Sequence, residues 1–380
     1  MLPRWLDKLL SGGTIPETRR AAEKPRRWRL LQVERSIACN LKCIMCPWRE
    51  LAHQHARKGH LEPDIWGAIS PYLEDVQSID FTGGGEPLLQ PHLIEWVREA
   101  GEAGCETGLL TNGTLLTAAT SQQLIKAGID WICISMDGAT ADIYEKIRSG
   151  ARFHTVCDHL SRLTAQRIGK RPKVMINFVM MQDNVHQLDA LVELADRLGV
   201  DRINFKQCDV IRGDSGRGFG LFADKTTREI RKMEKLLQRA RRLAKKKRIE
   251  TTAFAWVPEE MPVCDQDPRN SMFIRHDGSL APCINLALGG LTTFLGKEVE
   301  MPTVHYGRLP EDDLLDLWEA NTCRFYRERF ELRMNAYETG FTRSDLEPSL
   351  PKIKEALENA RKAMPPAPKG CQVCHYLYNI

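Results

Sequence analysis

Between Leu30 and Gln207, short apolar runs alternate with longer stretches whose apolar residues recur at every third or fourth position. The runs LLQVERSI, VQSIDFT, ETGLLT, DWICIS, KVMINFVM and DRINFKQ are rich in Val, Ile, Leu and Phe and are predicted strands. The stretches PHLIEWVREAGEAG, TAATSQQLIKAG and VHQLDALVELADRLG have helical spacing and each closes on Gly, a common helix stop. Six strand–helix units in series predict a parallel α/β sheet with short connections. Ligands of such sheets sit at the carboxyl ends of the strands. The unusual residues fall at those ends: cysteines after the first strand, TGGGEP after the second, TNG after the third and SMDG after the fourth.

Beyond Asp209 the pattern changes. VIRGDSGRGFG reads as a glycine-rich loop, and KTTREIRKMEKLLQRARRLAKKKRIE as one long helix with Ile230, Met233, Leu237, Ala240 and Ala244 on one face. That helix carries twelve Lys and Arg between Lys225 and Arg248, which reads as a solvated outer face, with an anion-binding surface as the alternative. MFIRHDGSLAPC has the Asp-Gly turn of a hairpin, and CQVC follows a Pro-rich tract near the end. The expected organisation is an extension over 1–30, a core over 31–208, a linking loop and helix over 209–256, and a second domain over 257–380.

Composition narrows the function. The 380 residues are 42% hydrophobic and 27% charged, and a net charge of +4 gives no reason to expect a nucleic-acid partner. No apolar run approaches the roughly 18 residues of a membrane span. MLPRWLDKLLSGG lacks the apolar core of an export signal, so a cytoplasmic location is expected. Twelve cysteines in that setting point to metal or redox chemistry.

Three of them, Cys39, Cys43 and Cys46, stand in CNLKCIMC. A disulfide leaves one over, and a tetrahedral zinc wants a fourth ligand. With the glycine-rich TGGGEP and the later SMDG, this C-x3-C-x2-C loop resembles the radical S-adenosylmethionine enzymes. The resemblance covers about Leu31 to Gln207 with its elements in order. It implies a partial (β/α)6 barrel and a [4Fe–4S] cluster on Cys39, Cys43 and Cys46, whose open iron chelates S-adenosyl-L-methionine. It also implies cofactor contacts by Gly84, Gly85 and Glu86, by Ser135 and Asp137, and by Asn112 in TNG. Arg148 in KIRSG is an expected partner for the cofactor's carboxylate, with a surface ion pair as the alternative. The sequence departs from the family at Met45, where an aromatic residue usually precedes the third cysteine.

Cys264, Cys283, Cys371 and Cys374 resemble the family's C-terminal α+β extension, the SPASM domain or its short twitch form, in which GSLAPC is the hairpin element. One auxiliary [4Fe–4S] cluster is implied, with the short form favoured. The long gap before Cys371 leaves Cys323 as a replacement ligand, and a structural zinc suits C-x2-C equally. Cys105, Cys133 and Cys157 read as packing. Cys208 ends the sixth strand, where a thiol serves either as packing or as a hydrogen-atom donor. The histidines of HQHARKGH read as solvent-facing.

The implied chemistry is reductive cleavage of S-adenosyl-L-methionine to a 5′-deoxyadenosyl radical, followed by hydrogen abstraction. An auxiliary cluster makes an oxidoreductase of dehydrogenase type, acting on a small molecule, the leading expectation. The alternatives are a peptide-modifying maturase, an epimerase using Cys208, and a non-catalytic iron–sulfur or zinc scaffold. A reducing partner such as flavodoxin or ferredoxin is also implied.

Overall fold

The computed structural model describes residues 26–48, 59–208, 226–342 and 350–380. Most of HQHARKGH, all of VIRGDSGRGFG and the first 25 residues lie outside them. All six expected strands form: β1 (Leu30–Val33), β2 (Ser78–Asp80), β3 (Glu106–Thr111), β4 (Trp131–Ser135), β5 (Lys173–Met180) and β6 (Arg202–Gln207). They pair in parallel and in chain order. Between them lie α1 (Pro63–Ile69), α2 (Leu93–Glu102), α3 (Ala118–Lys126), α4 (Ala141–Ile147), α5 (Phe153–Gln166) and α6 (Leu188–Arg197). Gly104, Gly128 and Gly199, which follow α2, α3 and α6, have φ of +84°, +84° and +69°. Only glycine takes this left-handed stop without strain, so the chain turns sharply there.

The long basic helix is α7 (Thr227–Lys246), opened by a capping box between Thr226 and Glu229. Met233, Leu237, Ala240 and Ala244 are buried along it as the spacing predicts. Part of its basic face meets acids of α6: Arg239 pairs with Asp189, and Lys247 with Glu193 and Asp196.

The sheet is larger than the sequence pattern suggests. The linking segment holds a further strand, β7 (Glu250–Ala253), parallel to β6. It is only four residues long and none is fully buried, so it shows no apolar run. At the other edge β8 (Ser271–Ile274) lies parallel to β1, and β9 (Ser279–Ala281) and β12 (Gly307–Arg308) follow it antiparallel. The result is one ten-stranded sheet in the order β12-β9-β8-β1-β2-β3-β4-β5-β6-β7. The C-terminal hairpin is thus hydrogen-bonded onto the strand that leads into the cysteine loop.

The remaining C-terminal elements are α8 (Ile284–Leu288), the separate hairpin of β10 (Gly290–Phe294) and β11 (Lys297–Met301), α9 (Leu314–Glu319), α10 (Asn321–Thr342) and α11 (Leu350–Ala363). All of them lie in the gap between Cys283 and Cys371. No described helix is long and apolar enough to cross a membrane.

Candidate functional site

Past β1 the chain is held by three neighbouring loops. Gly85 N–H donates to the Ser36 carbonyl and Glu86 N–H to the Ala38 carbonyl, so the glycine-rich loop runs alongside the approach to Cys39. Lys42 N–H bonds the Ser149 carbonyl and Ile44 N–H the Ile147 carbonyl, fixing the loop to the end of α4. Asn40 joins the loop after β3, donating to Thr114 Oγ1 at 2.8 Å and accepting from Asn112 Nδ2 at 2.9 Å. Cys39 is exposed, Cys46 partly buried and Cys43 buried.

Each of the first two sulfurs has N–H groups turned toward it. Leu41 N lies 3.5 Å and Asn112 Nδ2 3.9 Å from Cys39 Sγ, and Arg148 Nη1 lies 3.9 Å from Cys43 Sγ. Burial raises all three thiols, Cys46 to about 11, and the charge of Cys43 adds to the rise at Cys39 and Cys46. A soft donor set ringed by N–H groups suits an iron–sulfur cluster. Among the described residues no three His, Cys, Asp or Glu side chains stand close enough to hold a single metal ion.

The glycines of TGGGEP are there for space. A Cβ on Gly84 would lie 2.1 Å from the Trp48 ring, and one on Gly85 2.4 Å from the Ala38 carbonyl oxygen. Trp48, missed in the sequence reading, therefore lies on the glycine loop, whereas Met45 is buried in the core. Gly84 N–H donates to Glu34 Oε1 at 3.0 Å, and Glu34 Oε2 accepts from His276 Nδ1 at 2.9 Å. His276 belongs to the C-terminal hairpin, so a buried side-chain bridge links the two halves beneath this loop.

Two of the expected residues have side-chain partners within the chain. The Glu86 carboxylate is held by the scaffold. Oε1 accepts from Thr111 Oγ1 at 2.6 Å and Leu88 N at 3.1 Å, and Oε2 accepts from Asn112 N at 2.8 Å. It ties the loop after β2 to the loop after β3 and thereby places Asn112. Arg148 forms a buried ion pair and not a surface one. Its Nε and Nη2 both reach Asp137 Oδ2 at 2.6 Å inside the protein. Burial pulls the guanidinium down, but Asp137, Cys43 and Tyr144 together outweigh it and hold its pKa above the usual value. Asp137 in turn accepts from Val179 N at 2.7 Å.

Ser135 begins a polar row that the sequence reading missed. Register pairs Ser135 with Asn177, Asn177 with Asn204 and Asn204 with Thr252, so four polar side chains share one face across β4 to β7. Thr252 Oγ1 donates to Asn204 Oδ1 at 2.8 Å, and Asn204 Nδ2 lies 3.8 Å from Cys133 Sγ. Cys208, on the same face of its strand by alternation, is buried at the end of β6. Strand alternation in Arg202–Gln207 could have revealed this row, because its polar positions face inward with the cysteines.

The C-terminal thiols come together from separate segments. Burial raises Cys264, and the charges of Cys283 and Cys374 raise it further. Cys371 is likewise raised by burial and then by Cys264, Cys283 and Cys374. Asn285 Nδ2 lies 3.6 Å from Cys374 Sγ. The chain end is laced to the segment before Cys264 by Ala255 N–H to Asn379, Glu259 N–H to Tyr378 and Met261 N–H to Leu377 carbonyls. Cys323 is buried, which pushes its thiol up to about 12; its charged neighbours are Arg327 and Glu319, and Tyr306 interacts with both Cys323 and Cys283.

The sequence model of the Radical SAM superfamily matches residues 33–195, and that of the SPASM iron–sulfur cluster-binding domain matches 264–339. The chain belongs to the radical SAM superfamily. Its C-terminal region is of the SPASM type, and the match spans Cys264 and Cys283 but ends before Cys371. The radical SAM cofactors follow: S-adenosyl-L-methionine, the [4Fe–4S] cluster that binds it, and an auxiliary cluster.

Among curated relatives, a tungsten-containing aldehyde ferredoxin oxidoreductase cofactor-modifying protein of Pyrococcus furiosus is 25% identical over 78% of this chain and 82% of its own. An AdoMet-dependent heme synthase of Methanosarcina barkeri is 32% identical over 45% of this chain, and a PqqA peptide cyclase of Ruegeria pomeroyi 29% identical over 51%. The chain spans about half the length of those two, 48% and 49%. Streptococcus suis SuiB bound to S-adenosylmethionine has a similar fold, with a TM-score of 0.59 and 18% identity over 79% of this chain and 68% of that one. Native anSMEcpe with bound AdoMet gives 0.58 and 15% over 88% and 96%.

Proposed function

We propose that this radical SAM enzyme carries out a two-electron oxidation of its substrate, with Cys39, Cys43 and Cys46 holding the S-adenosyl-L-methionine cluster and Cys264, Cys283, Cys371 and Cys374 the auxiliary one. The observation that carries this reading is the second group of four mutually repelling thiols in a chain whose first site has three. When bound, the three-thiolate cluster supplies the electron that cleaves S-adenosyl-L-methionine, and the four-thiolate cluster supplies an acceptor for one electron. The chain's own residues do the positioning. Asn112 and Arg148 face the sulfurs of Cys39 and Cys43, Glu86 and Asp137 hold those two in place, and Gly84, Gly85 and Ser135 line the approach to the cofactor. The polar row from Ser135 to Thr252 offers hydrogen-bonding groups to a substrate.

A small-molecule substrate is the first reading, supported by the cofactor-modifying relative that matches most of both chains. Peptide modification is the second, supported by the PqqA peptide cyclases and by the likeness to SuiB bound to its precursor peptide SuiA, at TM-score 0.55. A reducing partner of the flavodoxin or ferredoxin type would supply the first electron, and a cytoplasmic location accords with the thiol content.

The test is to add candidate small molecules or short peptides to anaerobically reconstituted protein in deuterated solvent. The true substrate raises 5′-deoxyadenosine formation and yields a product two electrons more oxidised, without solvent deuterium at the abstracted carbon. Deuterium at that carbon in an unoxidised product would instead select epimerisation with Cys208 as donor.

A further inference from the structure

The gap between Cys283 and Cys371 contains α10, whose buried residues are Cys323, Tyr326, Phe330, Arg333 and Tyr337. They recur every three or four positions, as on a core-facing stripe, yet one of them carries a charge. Arg333 is 1% exposed. A buried guanidinium is costly unless its donors are met, and here they are met by two distant stretches of chain. Nε donates to the Pro262 carbonyl at 3.1 Å, Nη2 to the Met261 carbonyl at 3.0 Å and to Glu260 Oε1 at 2.7 Å, and Nη1 to the Pro365 carbonyl. Pro262 stands two residues before Cys264, and Pro365 begins the run into Cys371. Only a planar fork with five N–H donors can bind both stretches from one position.

We propose that Arg333 is a positioning residue of the auxiliary cluster: it joins the segments that deliver Cys264 and Cys371. This rests on the reading of Cys264, Cys283, Cys371 and Cys374 as ligands. It also gives the long insertion before Cys371 a purpose, as the scaffold that carries the arginine.

The experiment compares wild type, Arg333→Gln, Arg333→Lys and the double variant Cys371→Ala/Cys374→Ala after anaerobic reconstitution. Iron is counted, and each cluster's midpoint potential is read by EPR-monitored titration. Arg333→Gln should either lose the auxiliary cluster, matching the double variant's iron content, or keep it at a shifted potential with the first cluster unchanged. Arg333→Lys, which keeps the charge but has no planar fork, should recover only part of that loss or shift. Full iron with both potentials unchanged in Arg333→Gln overturns the proposal, as does a lysine variant that matches wild type in both. Should the glutamine variant fail to fold, the lysine variant decides alone: a depleted or shifted auxiliary cluster beside an unchanged first cluster supports the proposal, and wild-type iron and potentials overturn it. Full iron in the double cysteine variant would instead overturn the ligand assignment, whatever Arg333 does.

Discussion

Cys39, Cys43 and Cys46 arrive on one short loop, whereas Cys264, Cys283, Cys371 and Cys374 are delivered by segments spread from residue 264 to residue 374. The first loop is pinned by backbone bonds to adjacent strand–helix connections, so its geometry follows from the parallel sheet. The second group depends on tertiary clamps: the chain end laced to residues 255–261, Asn285 against Cys374, and Arg333 across both flanks. A site of the first kind can persist while the second is dismantled.

The largest expected effect tests that independence from the first side. Replacing Cys39, Cys43 and Cys46 together by Ala should remove about four irons per chain and abolish 5′-deoxyadenosine formation. Iron analysis and product chromatography check it, and continued cleavage of S-adenosyl-L-methionine would break the assignment. Next, the Cys371→Ala/Cys374→Ala variant should also lose about four irons yet still cleave S-adenosyl-L-methionine, while turnover of the true substrate fails. Loss of both activities together would mean that the two sites are not separable.

The contrast also explains what could be read in advance. All six core strands, the glycine-stopped helices, the basic helix and the hairpin were legible, because each is written in local periodicity or turn chemistry. The cysteine loop was legible for the same reason, its spacing being local. β7 was not, since a four-residue strand without a buried residue has no apolar signature. Nor was the pairing of β8 with β1, which depends on contacts more than 200 residues apart. Asn112 and Arg148, singled out in the sequence, do lie beside the Cys39 and Cys43 sulfurs, but the partners of Glu86 and Arg148 were not foreseen. A sequence gives a carboxylate or a guanidinium without saying whether the scaffold already occupies it. Arg333 was illegible because its helix was not anticipated. A charged residue on a three-and-four apolar spacing is the signal that would have exposed it.

Smaller effects sharpen the comparison within the first site. Glu86→Ala removes three hydrogen bonds to a buried carboxylate and should destabilise the fold by about 2–4 kcal/mol. It should also weaken S-adenosyl-L-methionine binding indirectly, through Asn112. Denaturant unfolding beside calorimetric binding checks this, and a weakened affinity with unchanged stability would restore direct contact as its role.

The smallest effect concerns the charges under that site. Burial pushes the Asp80 carboxyl up to about 6, against a hydrogen bond from Thr82 and the charge of Arg35. Arg35 lies over Phe81, 4.3 Å from its ring centroid, and burial pulls it down to about 9. A folded-state pKa above the unfolded value means that the fold favours protonated Asp80 and loses stability as pH rises through about 6. Asp80→Asn should therefore be the more stable protein at pH 7, by up to about 3 kcal/mol, with the advantage gone below about pH 4. Thermal unfolding across that range measures it, and an advantage independent of pH would contradict the assignment.

The central claim is that both thiol groups hold iron–sulfur clusters, one open to S-adenosyl-L-methionine and one fully ligated. Iron, sulfide and zinc analysis of anaerobically purified wild-type protein tests it most directly. The account predicts about eight irons, about eight sulfides and negligible zinc per chain. About four irons with one zinc would contradict it, leaving the C-terminal thiols a structural role and removing the electron acceptor on which the proposed oxidation depends.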